Sequence, residues 1–241
     1  MRPRHVAIAL SLLLTTVATG EARPQDLPTG WKKPPDPKRF EKAIQAFETL
    51  DRRQQPPKHA VVCTGSSSMR MWHKTIHKDL APLTVVPRGF GGSTMSDLLY
   101  FADRVILKYE PKAVVIYEGD NDVDWGMPPE QILATFGKLK KKLHAASPQL
   151  RIYVLAVKPS PRRWHEWPTA RKTNDLLNRA CQADQRLRFI DIATPMLDKS
   201  GTVRGDLFLD DRLHMNAQGY ALWKKVVRPV LVDRESNRDR R

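Results

Sequence analysis

The chain has 241 residues, 41% of them hydrophobic, with 41 Lys and Arg against 26 Asp and Glu and a formal net charge of +15. That length and apolar share suit one packed domain with appendages and exclude a mainly disordered chain. Two cysteines cannot make a disulfide scaffold, and beyond the first twenty residues no apolar run approaches the ~18 that span a bilayer. The basic excess raises nucleic acid, an anionic membrane surface or an acidic substrate as partners without choosing among them.

Arg2, Arg4 and His5 precede an apolar stretch from Val6 to Val17, and Ala18-Thr19-Gly20 follows with small residues. This order reads 1–22 as a Sec-type signal peptide, cut after Gly20 or Ala22, and predicts a periplasmic or extracellular protein. Its removal takes away two Arg and one Glu, so the basic character belongs to the mature chain. An oxidising compartment permits a Cys63–Cys181 pair, but Cys63 lies in the apolar run Ala60-Val61-Val62-Cys63, which favours a buried free thiol.

Residues 23–57 form a Pro/Lys-rich arm and an amphipathic helix, with Phe40, Ile44, Phe47 and Leu50 at helical spacing before Pro56-Pro57. From 58 to 233, β-branched runs at 59–64, 83–87, 112–118, 151–157 and 187–191 alternate with helical patterns near 95–109, 128–146, 168–185 and 216–231. Strands with almost no polar alternation are buried on both faces, and helices of this length are the crossovers that parallel strands require. The expected fold is α/β, a three-layer doubly wound (flavodoxin-like) sandwich on a five-stranded parallel sheet. Residues 234–241 alternate charges without an apolar anchor and read as a frayed tail.

Ligands of such sheets bind beyond the carboxyl ends of the strands, so the loops there carry the functional candidates. After the first run stands Gly65-Ser66-Ser67-Ser68, either a helix cap or an exposed nucleophile whose own N–H helps hold an oxyanion. After the second stands Gly89-Phe90-Gly91-Gly92-Ser93, which lacks the spacing and Lys of a phosphate loop. After the third, Gly119-Asp120-Asn121-Asp122 offers an amide N–H or a simple Asx turn. Before the last helix, Asp211 precedes His214 by three residues, close enough to fix the imidazole tautomer, or His214 is an ordinary loop histidine. Asp120-x-Asp122-x-Asp124 fails the EF-hand test at Trp125 and Gln131, and His73 with His77 lacks a third ligand, so neither a metal nor another cofactor is invoked. Together the four loops supply a nucleophile, oxyanion donors and a base pair, the set that acyl transfer requires.

These blocks resemble the SGNH hydrolase superfamily, the GDSL-like lipases and esterases, over roughly residues 59–232. The resemblance implies an SGNH-type hydrolase of carboxylic or thioesters acting through an acyl-enzyme. It implies Ser67 as nucleophile, Asp211 and His214 as its partners, and Ser67, Gly92 and Asn121 as the oxyanion hole. The family's Asp after the first Gly is Ser66 here, which bears on substrate class. Small esters, lipids such as lysophospholipids, thioesters and acylated sugars are the expected substrates, and nucleic acid is not expected. Lys158, Trp164 and Trp167, in the loop after the fourth strand, are candidates to wall the substrate cleft, with Lys158, Arg162 or Arg163 meeting an acid group; Trp72 and Trp125 flank the blocks. Two other readings stand beside this one: acetyl ester cleavage or O-acetyl transfer on a glycan, and a noncatalytic basic module for anionic polymers. Nine Lys and Arg between Arg23 and Lys58, and the cluster Lys138 with Lys140 to Lys142, lie away from the strand ends. They suit loose association with anionic envelope surfaces more than chemistry.

Overall fold

The computed structural model describes residues 28–236. The signal segment, the first residues of the arm and residues 237–241 lie outside the described residues. The five apolar runs form β1 (Val61–Gly65), β2 (Val85–Gly89), β3 (Ala113–Tyr117), β4 (Arg151–Leu155) and β5 (Leu187–Ile190), all parallel and ordered β2-β1-β3-β4-β5. Alternation along each strand divides its side chains between two cores. Val61, Cys63, Val115 and Tyr117 face one, and Val62, Val86, Val114 and Ile116 the other. Each such side chain removed from water contributes roughly 1.5–3 kcal/mol, so a run apolar on both faces is stable only between two helical layers.

The helices supply those layers. On the first face, α2 (Ser67–Trp72), α3 (Ile76–Asp79) and α8 (Ala217–Ser236) contribute Trp72, Ile76 and Trp223. On the second, α1 (Glu41–Arg53), α4 (Met95–Val105), α6 (Pro129–Ala146) and α7 (Trp167–Gln182) contribute Ile44, Phe101, Phe136 and Leu177. The short α5 (Asp120–Asp124) follows β3. Helix α1 is further held by Arg104, which pairs with Glu41 and Glu48, and by Asp51, which pairs with Arg88 and Lys108.

The doubly wound α/β sandwich expected from the sequence is the fold observed, and the strands fall within two or three residues of their expected limits. Three helices, α2, α3 and α5, were not indicated by periodicity, being too short to show one. The helix expected over 95–109 stops at Val105, and a 3-10 turn, Leu107–Tyr109, follows. There Tyr109 is drawn in by its hydroxyl, which donates to Asp51 Oδ2 (2.7 Å). The frayed tail needs correction at its start. Arg234, Glu235 and Ser236 complete α8, and Glu235 is fully buried, accepting from Arg151 Nε at 2.7 Å and from the Tyr153 hydroxyl. Cys63 and Cys181 are both free and sit in opposite cores, on either side of the sheet. Burial pushes both thiols up, Cys181 to about 12. Among the described residues no helix is long and apolar enough to cross a membrane.

Candidate active site

Parallel strands deliver their loops to one edge, and the four sequence blocks meet there. Gly65 closes β1 at φ +135°, and a Cβ on it would lie 2.1 Å from the Tyr117 carbonyl oxygen. Glycine alone permits this approach of β1 to β3. The next residues turn at once into α2, and Ser67 takes its first helical position, partly exposed between buried Ser66 and Ser68. The Ser66 hydroxyl, where the resemblance would place a carboxylate, is buried with no hydrogen-bond partner among the described residues.

The Asp211-to-His214 segment brings the imidazole to Ser67. His214 Nε2 lies 3.0 Å from Ser67 Oγ, and its Nδ1 lies 2.6 Å from Asp211 Oδ2. The other Asp211 oxygen accepts from the backbone N–H groups of Leu213 and His214, both at 2.9 Å. Partial burial works against the Asp211 carboxylate, but the imidazole and these backbone donors prevail and bring its pKa down to about 2. An ionised Asp211 requires a proton on Nδ1, leaving Nε2 to accept from the serine.

The opposite flank is formed by the second and third blocks. Gly92 has φ +87°, and its N–H, like that of Ser67, is uncommitted among the described residues. Asn121 Nδ2 donates to the Ser93 carbonyl (2.8 Å), which uses one of its two hydrogens. Below this lies a group of buried carboxyls. Glu118 Oε1 accepts from the Ser93 hydroxyl (2.6 Å), and its other oxygen has no partner among the described residues. Burial, reinforced by the neighbouring Asp122, pushes the Glu118 carboxyl well above the usual range. Burial likewise raises Asp122 to about 7, although both its oxygens accept from the Met95 N–H. Asp97 caps α4 through the Thr94 N–H and binds Arg39 from the N-terminal arm. Burial opposes the charge on Asp120, but Lys158 and Arg163 outweigh it and hold that carboxyl below its ordinary value.

The substrate-wall candidates occupy different settings. Lys158 does not present charge to a ligand: it is buried and its Nζ lies 3.2 Å from Asp120 Oδ2. Trp164 and Trp167 are half-buried and stacked, with centroids 6.2 Å apart, and Trp167 lines a small cavity with Asp120 and Arg163. Arg162 is exposed, whereas Arg163 turns inward to Asp120, Asn121 and Asp124. Trp72 is a core residue that donates to Asp79, while Trp125 is 55% exposed. The lone pair of His73 Nε2 accepts from the Gly89 N–H, and burial, with the Arg88 and Arg70 charges, brings its pKa down to about 4, so a neutral ring fastens α2 to β2. The larger groove, near 1210 Å³, runs along the β5 edge beside α7 and includes no residue of the serine–histidine pair. Sequence reasoning missed Arg39 and Glu118 altogether. The only signal for Glu118 was an acidic residue ending an apolar strand.

Comparison with known proteins bears on the family and on the fold. Residues 60–222 match the family described as GDSL-like lipase/acylhydrolase. Among solved structures, one from Streptococcus pneumonia, provisionally described as a platelet activating factor, superposes with a TM-score of 0.71 at 18% identity, covering 80% of this chain and 93% of that one. A GDSL-like lipase from Bacteroides thetaiotaomicron gives 0.64 at 17% identity, covering 82% and 98%. A carbohydrate esterase family 3 protein from Talaromyces cellulolyticus gives 0.57 at 16% identity, covering 73% and 98%. A comparison with curated protein sequences returned no match.

Proposed function

The chain belongs to the GDSL-like lipase/acylhydrolase family and is an ester-bond hydrolase, and from that premise we propose that Ser67, His214 and Asp211 are its catalytic triad. The observation that carries the assignment is the relay of Ser67 Oγ to His214 Nε2 at 3.0 Å and His214 Nδ1 to Asp211 Oδ2 at 2.6 Å. Ser67 Oγ attacks the carbonyl carbon while Nε2 takes its proton, and the developing imidazolium is stabilised by Asp211. The N–H groups of Ser67 and Gly92 and the free hydrogen of Asn121 Nδ2 receive the oxyanion. His214 then protonates the departing alkoxide or thiolate, and water, activated by the same imidazole, releases the acid and restores Ser67.

The substrates in this reading are carboxylic or thioesters, of the lysophospholipase or thioesterase type. The stacked Trp164–Trp167 pair favours a second class, acetyl esters of carbohydrates, because flat aromatic faces suit sugar rings. The likeness of the fold to a carbohydrate esterase points the same way. The charged, apolar and small-residue order of 1–22 supports export, and the basic arm supports loose retention at anionic envelope surfaces. A panel of acyl-chain, thioester and acetyl-sugar substrates, assayed with wild type and Ser67→Ala, tests both levels. Full hydrolysis by Ser67→Ala defeats the triad assignment, and the preferred ester identifies the class.

A further inference from the structure

We infer that Arg163 is the positioning residue of the oxyanion hole, holding the Asn121 amide in its donating orientation and tying that flank to the histidine loop. This rests on the proposal that Asn121 serves the oxyanion. An asparagine amide has two orientations related by a half-turn, and only one presents N–H to the reacting centre. Here the Asn121 carbonyl oxygen accepts from both terminal nitrogens of Arg163, at 3.1 and 3.2 Å, and Nδ2 donates to the Ser93 carbonyl at 2.8 Å. A guanidinium has no acceptor and a carbonyl has no donor, so a half-turn would break both contacts and set donor against donor at Arg163 and acceptor against acceptor at Ser93. The amide is therefore fixed from both sides, with one Nδ2 hydrogen left over.

The fork, rather than the charge alone, makes this possible. Arg163 Nη1 also donates to Asp120 Oδ1 (2.7 Å), and Nη2 to Asp124 Oδ2 (2.7 Å), so one planar group spans α5. Lys158 already gives Asp120 a counter-charge, hence a point charge at 163 would duplicate it without reaching Asn121 and Asp124 together. A cation on Oδ1 also polarises the amide, which strengthens Nδ2–H as a donor. The neighbouring residue completes the link. The Arg162 N–H donates to the Arg212 carbonyl (3.0 Å), and Arg212, at φ +57°, stands between Asp211 and His214. One dipeptide thus touches the oxyanion donor with its side chain and the loop of the base with its backbone.

The test is steady-state kinetics on p-nitrophenyl acetate for Arg163→Met, Arg163→Lys and Asn121→Ala, and for both Arg163 variants in the Asn121→Ala background. Loss of a fixed oxyanion donor lowers kcat by about 30-fold in Arg163→Met and about 5- to 10-fold in Arg163→Lys, with KM changed less than about 3-fold. In the Asn121→Ala background either substitution adds less than about 2-fold, because the group it acts through is gone. A purely structural Arg163 would instead reduce activity equally in both backgrounds, which overturns the inference. So does a rise in KM at constant kcat, which marks a substrate contact. If Arg163→Met does not fold, the Arg163→Lys cycle carries the test alone. An inactive Ser67→Ala beside an unaffected Arg163→Met defeats this inference only, whereas an active Ser67→Ala defeats the triad.

Discussion

The proposed oxyanion flank and the proposed base flank of Ser67 are constructed by opposite means. Asn121 is buried within a web of charges, reached by Arg163 and Ser93 and underlain by Glu118, Asp120 and Asp122. His214 and Asp211 stand on a loop with side chains 25% and 40% exposed, and among the described residues the Asp211 carboxylate bonds only to residues two or three positions away. The chemistry accounts for the contrast. Oxyanion donors help most when they are already in place as charge develops, which favours a buried, over-determined setting. A base must give its proton to a different atom from the one that supplied it, which suits a locally braced ring with freedom at its tip.

The largest expected effect removes what both flanks serve. Ser67→Ala should lower kcat by about 10⁴-fold or more, measured on p-nitrophenyl acetate. On the base flank, Asp211→Asn should cost up to about 10⁴-fold. Its amide would donate toward Nδ1 and force the proton onto Nε2, where it blocks proton transfer from Ser67; a loss under tenfold would show that the exposed flank does not depend on its carboxylate. On the oxyanion flank, Asn121→Ala should cost about 10²-fold in kcat with KM nearly constant.

The smallest effect separates the flanks by pH. Because Glu118 has a carboxyl pKa well above its ordinary value, the folded protein keeps a proton that the unfolded chain releases. That contribution to stability is complete below about pH 4.5 and is lost as pH rises toward the folded value. Glu118→Gln keeps a neutral acceptor for Ser93, so its Tm relative to wild type should climb by about 2–4 °C between about pH 5 and pH 8. Asp211, with a pKa near 2, stays ionised across that range, so its own titration contributes no such climb. A flat difference for Glu118→Gln in a thermal-unfolding series would remove the buried-acid description of the oxyanion flank.

The base flank was readable in the sequence because it is local: three residues of spacing bring a carboxylate to an imidazole. The strands were readable because burial on both faces leaves unbroken β-branched runs. The oxyanion flank was readable only in part. Asn121 stood out by resemblance, but the partner that fixes it, Arg163, lies 42 residues on and reaches it through a loop from another strand. Arg162-Arg163 looked like charge offered to a substrate, since a sequence does not show which way a side chain turns. The same blindness hid Lys158 in the interior and Glu235 at the end of a segment that looked frayed.

That last glutamate bears on which face of the sheet depends on the end of the described chain. On β4, Arg151 and Tyr153 both reach the carboxylate of Glu235, 84 residues beyond Arg151. The helix that carries Glu235 also supplies Trp223, Val227 and Leu231 to the first core. The second-face core, lined by α1, α4, α6 and α7, draws only on residues that precede α8, whereas the first-face core is incomplete without that helix. The helix that begins at Ser67 therefore rests on the face that the last helix of the described residues completes, so truncating α8 should disturb the site before it disturbs the second core.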